Sequence, residues 1–367
     1  MPDLPESPSP AEPGAAARPT LAELGWSDRV EALAASSPHA REGVLARVVR
    51  VNRKGCVVVS ATEESAAIGF PLPAVGDWVL VARTDPNGPL QVVDILPRWS
   101  ALERHAAAGA TEVQVLAVNV DLVFIVISLD APLKGGRLDR ELVVAWESGA
   151  QPVIVLTKAD QHPDPDAAAA EAADRSNGVP VIVTSAVDGR GVEDVRAVIG
   201  PTDTLVLLGA SGVGKSTLAN RLLGAEVLQT GEVRDGDRKG RHTTTSRYLL
   251  GIPSGGVLVD TPGLRGLGLW DVAEGMSLAF SDIEELAEGC RFNDCAHGAE
   301  PGCAVRAAVA AGTLSPARFE SWQKLQAEAA HVEVQRDARA KADDKRKTKE
   351  VMRAQRKQYE ERPRGRR

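Results

Sequence analysis

The chain has 367 residues, 43 % of them hydrophobic and 25 % charged, with a formal net charge of −7. That is enough polypeptide for two or three domains with substantial cores, and the acidic balance excludes a nonspecific polycation. No apolar run reaches membrane-spanning length, the N-terminus lacks the basic start and apolar stretch of a signal peptide, and four cysteines make no disulfide framework. A soluble, cytoplasmic monomer without a membrane partner is the expectation.

Residues 1–38 are rich in Pro, Ala, Ser and Glu without sustained periodicity, which predicts a disordered extension with room for a short helix between Thr20 and Ala35. Short β-like runs follow at Gly43–Val51, Cys56–Val59, Asp77–Val81 and Leu90–Ile95, separated by turn residues at Asn52–Gly55, Pro73–Gly76 and Asp85–Pro89. Several short strands over 39–100 suggest a small barrel. Arg47, Arg50, Arg53 and Lys54 give it basic character, while Trp78 is the only aromatic obvious on a strand before Trp99. RNA binding is barely favoured there over a purely structural β-module.

From Asn119 onward, continuous apolar runs alternate with helical stretches at Arg137–Glu147, Asp164–Arg175 and Val192–Ile199, with Gly149 and Gly178 placed as helix stops. This is the pattern of a mostly parallel sheet buried on both faces, and it assigns 112–275 to one α/β unit. The run Gln151–Leu156 ends in Thr157, Lys158, Ala159 and Asp160, an [N/T]KxD motif. A carboxylate at Asp160 can accept hydrogen bonds from guanine N1–H and the exocyclic amine, which adenine does not offer together, and a buried acceptor left unpaired rejects the wrong base. The Lys158 stem can lie over the purine. The next strand ends in Ser185 and Ala186, where a backbone N–H could meet guanine O6.

The apolar run Thr204–Leu208 then leads into Gly209, Ala210, Ser211, Gly212, Val213, Gly214, Lys215 and Ser216, a complete GxxxxGK[ST] loop, with Thr217 continuing into a helix. Backbone N–H groups and the helix N-terminus would surround the β-phosphate, Lys215 would reach the β/γ oxygens, and Ser216 would ligate Mg²⁺. Beyond it, Gly240–Thr245 holds His242 and three threonines, of which Thr244 is the candidate second Mg²⁺ ligand. The strand 256–259 ends in Asp260-Thr-Pro-Gly263, a DxxG motif whose Asp260 would hold Mg²⁺ through water and whose Gly263 N–H would sense the γ-phosphate. Base recognition thus precedes the phosphate loop, a rotation of the usual GTPase order, which is tolerable because domain termini commonly lie close together.

Cys290, Cys295, His297 and Cys303 fall within one short stretch with the spacing Cx₄CxHx₅C. Three soft thiolates and an imidazole suit a closed tetrahedral Zn²⁺ site, with a redox pair as the competing reading. Cys56 reads as a buried strand residue. Residues 331–367 carry 14 Lys+Arg against 7 Asp+Glu, a net of +7, which leaves −14 on the rest of the chain. This tail is either a solvated, partly helical extension or a phosphate-facing arm.

The permuted motif order over roughly 41–325 resembles the circularly permuted, ribosome-small-subunit-dependent GTPases, the RsgA or YjeQ family. The resemblance implies an α/β fold: a circularly permuted P-loop GTPase domain (112–275), preceded by a small OB-fold β-barrel (39–100) and followed by a mainly helical zinc-binding domain (276–330) and the basic tail (331–367). It implies GTP hydrolysis to GDP and phosphate in late assembly of the small (30S) ribosomal subunit, with rRNA and the subunit as partners. The Cys₃His spacing matches the family's metal motif. Two departures matter: Thr157 stands where the family usually has Asn, and Leu264 stands where Ras-like enzymes carry a water-orienting Gln. His242 is the candidate replacement for that Gln, giving Lys215, His242 and Thr244 as the catalytic set. Two rival readings are an RNA-binding scaffold whose nucleotide site is structural, and an ATP-dependent phosphotransferase in which Asp160 is accidental.

Overall fold

Period-2 alternation of small and β-branched residues in the first third of the chain builds strands with one inward face each. The computed structural model describes residues 19–52, 55–69, 71–83, 85, 88–105, 113–228, 248–260 and 272–334. Strands β1 (Val44–Asn52), β2 (Gly55–Ser60), β3 (Glu64–Ile68), β4 (Trp78–Ala82) and β5 (Leu90–Ile95) pair in the order β1-β2-β3-β5-β4. A further antiparallel pairing of β1 with β4 closes the barrel, which is OB-like. Its interior is small and apolar: Ala46, Val48, Cys56, Val58, Ala67, Val79, Val81 and Leu90. Strand β3 had no β-rich signature, since Glu64-Ser-Ala-Ala-Ile68 turns only Ala67 inward.

Ahead of the barrel, Thr20 and Glu23 cap each other reciprocally and α1 (Asp28–Ser36) follows. Leu24 and Val30 are fully buried, so residues 19–38 belong to the packed body and not to a structureless extension. Arg47 corrects a second expectation. It faces away from the barrel core yet is completely buried, donating to the Leu24 carbonyl and to Thr204 Oγ1 at 2.7 Å, with its guanidinium 4.9 Å from the Trp78 ring centroid. Burial pulls its pKa down to about 10 despite Asp121 and Asp77. Arg47 and Trp78 therefore join the barrel to its neighbours and are not available to RNA.

Strands β6 (Ala101–His105) and β7 (Val113–Val118) pair only with each other, so the stretch just after residue 112 stands apart from the central sheet. That sheet is built from β8 (Leu122–Ser128), β9 (Gln151–Thr157), β10 (Val181–Val183), β11 (Thr204–Leu208), β12 (Tyr248–Gly251) and β13 (Val257–Asp260), in the order β10-β9-β8-β11-β13-β12. All pairs are parallel except β12 with β13. The continuous apolar runs have their expected cause: Val123, Ile125, Ile154 and Val206 pack into one core, while Phe124, Val126, Val155 and Leu205 pack into another on the opposite face. Helices α2 (Gly135–Glu147) and α3 (Pro165–Ser176) cover the first, and α4 (Val192–Ala197) and α5 (Lys215–Leu223) the second. Asp164 caps α3 by accepting from Ala167 N at 3.0 Å, with Pro165 in the first turn. A single bridge, Arg50 with Tyr248, links the barrel strand β1 to β12.

After the sheet come α6 (Ala273–Ala279), α7 (Ser281–Ala287), α8 (Ala304–Ala311) and a helical run over 316–334. They dock through α2. Gly275 lets α6 approach so closely that an added Cβ would strike the Val143 carbonyl oxygen. Buried Asp139 of α2 accepts from Arg175 at 2.6 Å and lies 3.4 Å from Arg318, which also takes both oxygens of Asp282 at 2.8 Å. A carboxylate this deep is tolerated because two guanidinium groups answer it.

Candidate nucleotide and metal sites

The phosphate loop runs from the end of β11 to the start of α5, and glycine is required in it for steric reasons. Gly209 has φ +148°, and a Cβ there would collide with the Val126 carbonyl oxygen; Gly214 has φ +96°, a backbone that side-chain residues rarely adopt, and a Cβ there would sit 3.5 Å from Thr157 Oγ1. Lys215 opens α5, and its Nζ donates back to the Gly209 carbonyl at 2.9 Å and to that of Ala210. Ser216 and Thr217 occupy the first helical turn, and Thr217 lines the adjoining pocket. Ser211, Gly212 and Val213 complete the loop, with Val213 buried beneath it.

The base motif arrives at the same place from β9. Thr157, the last residue of that strand, donates its hydroxyl to the Val213 carbonyl at 2.5 Å. Ala159 N bonds to the Thr184 carbonyl at 3.1 Å, which fixes the short turn Ala159–Gln161, and Asp160 Oδ1 accepts from the buried Ser185 hydroxyl at 2.7 Å. One pocket is lined by Lys158 and Asp160 from the base motif, Ala186 from the Ser-Ala loop, and Gly214 and Thr217 from the phosphate loop. A second tie closes its rim, from Arg221 Nη2 on α5 to the Ala186 carbonyl at 2.7 Å. Two stretches more than fifty residues apart thus share one cavity, and hydrogen bonds join them directly.

Thr157 has a single hydroxyl proton, and it is committed to the phosphate loop. This position braces the loop and brings no amide toward a base. Sequence reading missed Asp130, which pairs with Lys158, and Arg221; neither belongs to a short motif, and their partners lie 28 and 35 residues away.

Asp260 ends β13, next to the strand that carries the phosphate loop. It is half-buried, and burial pushes its carboxyl above the usual range. Such a carboxylate suits a hard dication with oxygen ligands. His242, Thr244 and the neighbouring threonines lie outside the described residues, as do Gly263, Leu264, Arg53, Lys54 and most of the basic tail.

Cys290, Cys295, His297 and Cys303 offer ligand atoms that all lie within 4.8 Å of one another, a set that can hold a metal ion. Cys290 Sγ is 3.6 Å and Cys303 Sγ 3.4 Å from His297 Nδ1, and the two sulfurs are 3.9 Å apart. With Zn–S near 2.3 Å and Zn–N near 2.0 Å, a tetrahedron has edges of about 3.5–3.8 Å, close to this spacing. All four cysteines of the chain are free thiols, so no disulfide occupies the cluster. The start of α8 supports the sulfurs: Ala304 N donates to Cys290 Sγ at 3.3 Å and Arg306 N to Cys303 Sγ at 3.5 Å. His297 adopts φ +56° and is buried 5.4 Å from the Trp322 ring.

Comparison with known proteins matches residues 95–270 to the family model described as RsgA GTPase. A Streptomyces coelicolor protein named "Small ribosomal subunit biogenesis GTPase RsgA" is 48 % identical, the match covering 88 % of this chain and 90 % of that protein. The chain belongs to the RsgA GTPase family. An Oceanobacillus iheyensis member, RsgA 1, is 40 % identical over 91 % of this chain and 95 % of its own. Among solved structures, YjeQ from Thermotoga maritima superposes with a TM-score of 0.58 at 26 % identity, covering 77 % of this chain and 96 % of that one. YloQ, titled a circularly permuted GTPase, gives 0.59 at 24 % identity over 82 % and 98 %, a likeness of fold. As an RsgA GTPase the chain is a GTP hydrolase, and the permuted order expected from its motifs is that of its structural relatives. No helix among the described residues is long and apolar enough to cross a membrane.

Proposed function

We propose that this chain hydrolyses GTP to GDP and phosphate as a late assembly factor of the small (30S) ribosomal subunit, binding its rRNA and being stimulated by it. The observation that carries the reading is the single pocket shared by Asp160 and the phosphate loop. The partner assignment rests on the relatives named for small-subunit biogenesis.

In this mechanism Asp160, oriented by Ser185, takes the guanine N1–H and exocyclic amine, and Lys158 lies along the purine. Gly209 to Thr217 cradle the phosphates, and Lys215 exchanges its loop carbonyls for β/γ oxygens. Ser216, Thr244 and Asp260 are the residues that would hold Mg²⁺, which would supply positive charge to the phosphates when bound. Water, oriented by His242, attacks the γ-phosphorus in line as the bond to the β–γ bridging oxygen breaks, and Lys215 with the loop N–H groups stabilises the charge that builds. Cys290, Cys295, His297 and Cys303 would hold one Zn²⁺ in a structural role, since three thiolates and an imidazole fill a tetrahedral set.

The test measures GTP and ATP hydrolysis with and without purified small subunits, for the native chain, Asp160→Ala and His242→Ala. The expected result is GTP-selective turnover raised by the subunit, lost at low GTP in Asp160→Ala, and unstimulated but still GTP-binding in His242→Ala. Turnover indifferent to both the base and the subunit would overturn the reading, and full stimulation in His242→Ala would remove that residue from it.

A further inference from the structure

Strands β8 and β9 run parallel with Ser128 opposite Thr157, so the residues just beyond them emerge side by side at the sheet edge that carries the pocket. Beyond β8 stands Asp130; beyond β9 stands Lys158. Lys158 Nζ lies 2.5 Å from Asp130 Oδ2, while Asp130 Oδ1 accepts from Ser128 Oγ at 2.7 Å. Lys158 also lines the pocket and holds a left-handed backbone, φ +58° and ψ +39°, which side-chain residues adopt rarely. The lysine is therefore fixed at both ends, its backbone by the turn and its tip by a carboxylate that is itself held.

We propose that Asp130 is a positioning residue for the guanine nucleotide, tethering the Lys158 ammonium so that the methylene stem forms a fixed apolar shelf for the purine. The proposal rests on the reading of this pocket as a guanine-nucleotide site. A lysine without a tether samples many rotamers and loses that freedom when a base settles on it; a tethered one has lost it beforehand. The carboxylate also gives the ammonium a partner when the arriving base strips its water. The Lys158 hydrogen bond first, then that of Ser128, holds the Asp130 carboxyl below the usual range.

A plain surface ion pair would have the same geometry but no tie to the nucleotide, and a double-mutant cycle separates the two. GDP dissociation constants are measured on the full chain carrying Asp130→Ala, Asp130→Glu or neither, each with Lys158 and with Lys158→Met, alongside thermal melting. Asp130→Ala should raise the GDP dissociation constant about two- to fivefold when Lys158 is present. It should leave the constant unchanged beside Lys158→Met, and Asp130→Glu should recover most of the loss. An equal rise in both backgrounds, or none in either, would overturn the proposal. Failure of the unsubstituted chain to bind GDP would overturn the pocket reading, and this inference with it.

Discussion

The metal cluster and the nucleotide pocket are built in opposite ways. The four candidate metal ligands come from 14 consecutive positions, and their ligand atoms already lie within 4.8 Å of one another. The pocket is assembled from residues between 157 and 221, on loops at the ends of parallel strands and on α4 and α5, and its halves are joined by hydrogen bonds from Thr157 to Val213 and from Arg221 to Ala186. The cluster sits on a run of turns between α7 and α8, with three thiols crowded around one imidazole. The pocket stands on a sheet with apolar cores on both faces, so its frame exists before any ligand arrives. One site is thus encoded locally in a single segment, and the other at long range by the fold.

The largest effect should come from removing the metal. A structural zinc contributes about 10–16 kcal/mol of apparent binding free energy, which in such a site is folding free energy. Chelation, or Cys303→Ala, should abolish stoichiometric zinc by mass spectrometry and shift Trp322 fluorescence to the red, because that indole is buried beside His297. GDP affinity should stay within about twofold, as for sites that share no partners. A metal-free chain with its Trp322 emission unchanged would mean that the cluster is held by packing, and the contrast between the two sites would disappear.

The same contrast governs what could be read from the sequence. The phosphate loop, [N/T]KxD, DxxG and Cys₃His are short patterns whose chemistry is local, and the described parts stand where their neighbours in sequence demand. The buried strands were legible because a run such as Leu122-Val-Phe-Ile-Val-Ile-Ser128 has no polar side to expose. Strand β3 was not, since Ala66 and Ala67 carry no β signal and its pairing comes from β2 and β5. Arg47 read as a surface charge because nothing nearby in sequence reveals its partners, Leu24 at 23 residues and Thr204 at 157 residues' separation. Asp130 and Arg221 escaped for the same reason: a side chain whose role is set by a distant element leaves no pattern around itself.

A smaller effect probes the joint within the pocket. Thr157→Val keeps the shape but removes the hydroxyl that donates to the Val213 carbonyl, a loss of about 1–3 kcal/mol where the acceptor stays buried. The affinity for GDP should fall about tenfold, and that for inosine diphosphate, which lacks the exocyclic amine, by the same factor. If Thr157 instead reads the base, the ratio of the two affinities will change, which titration of both nucleotides decides.

The smallest effect is a displacement in pH at Asp260. Burial raises its carboxyl pKa in the folded chain above the unfolded value, so the folded state takes up a proton between those two values. Stability contributed by this group accordingly falls as pH rises through that window, and Mg²⁺ offsets the loss by answering the carboxylate. In the other direction, a proton competes with Mg²⁺ as pH falls, and it begins to do so at a higher pH than for an ordinary aspartate. The Mg²⁺-dependent part of GTP affinity, titrated against pH, should decline above the usual aspartate range, and Asp260→Asn should remove both the Mg²⁺ dependence and that slope. A decline confined to the ordinary range would place the carboxylate in water, and the pocket's metal side would then be as solvent-open as its base side.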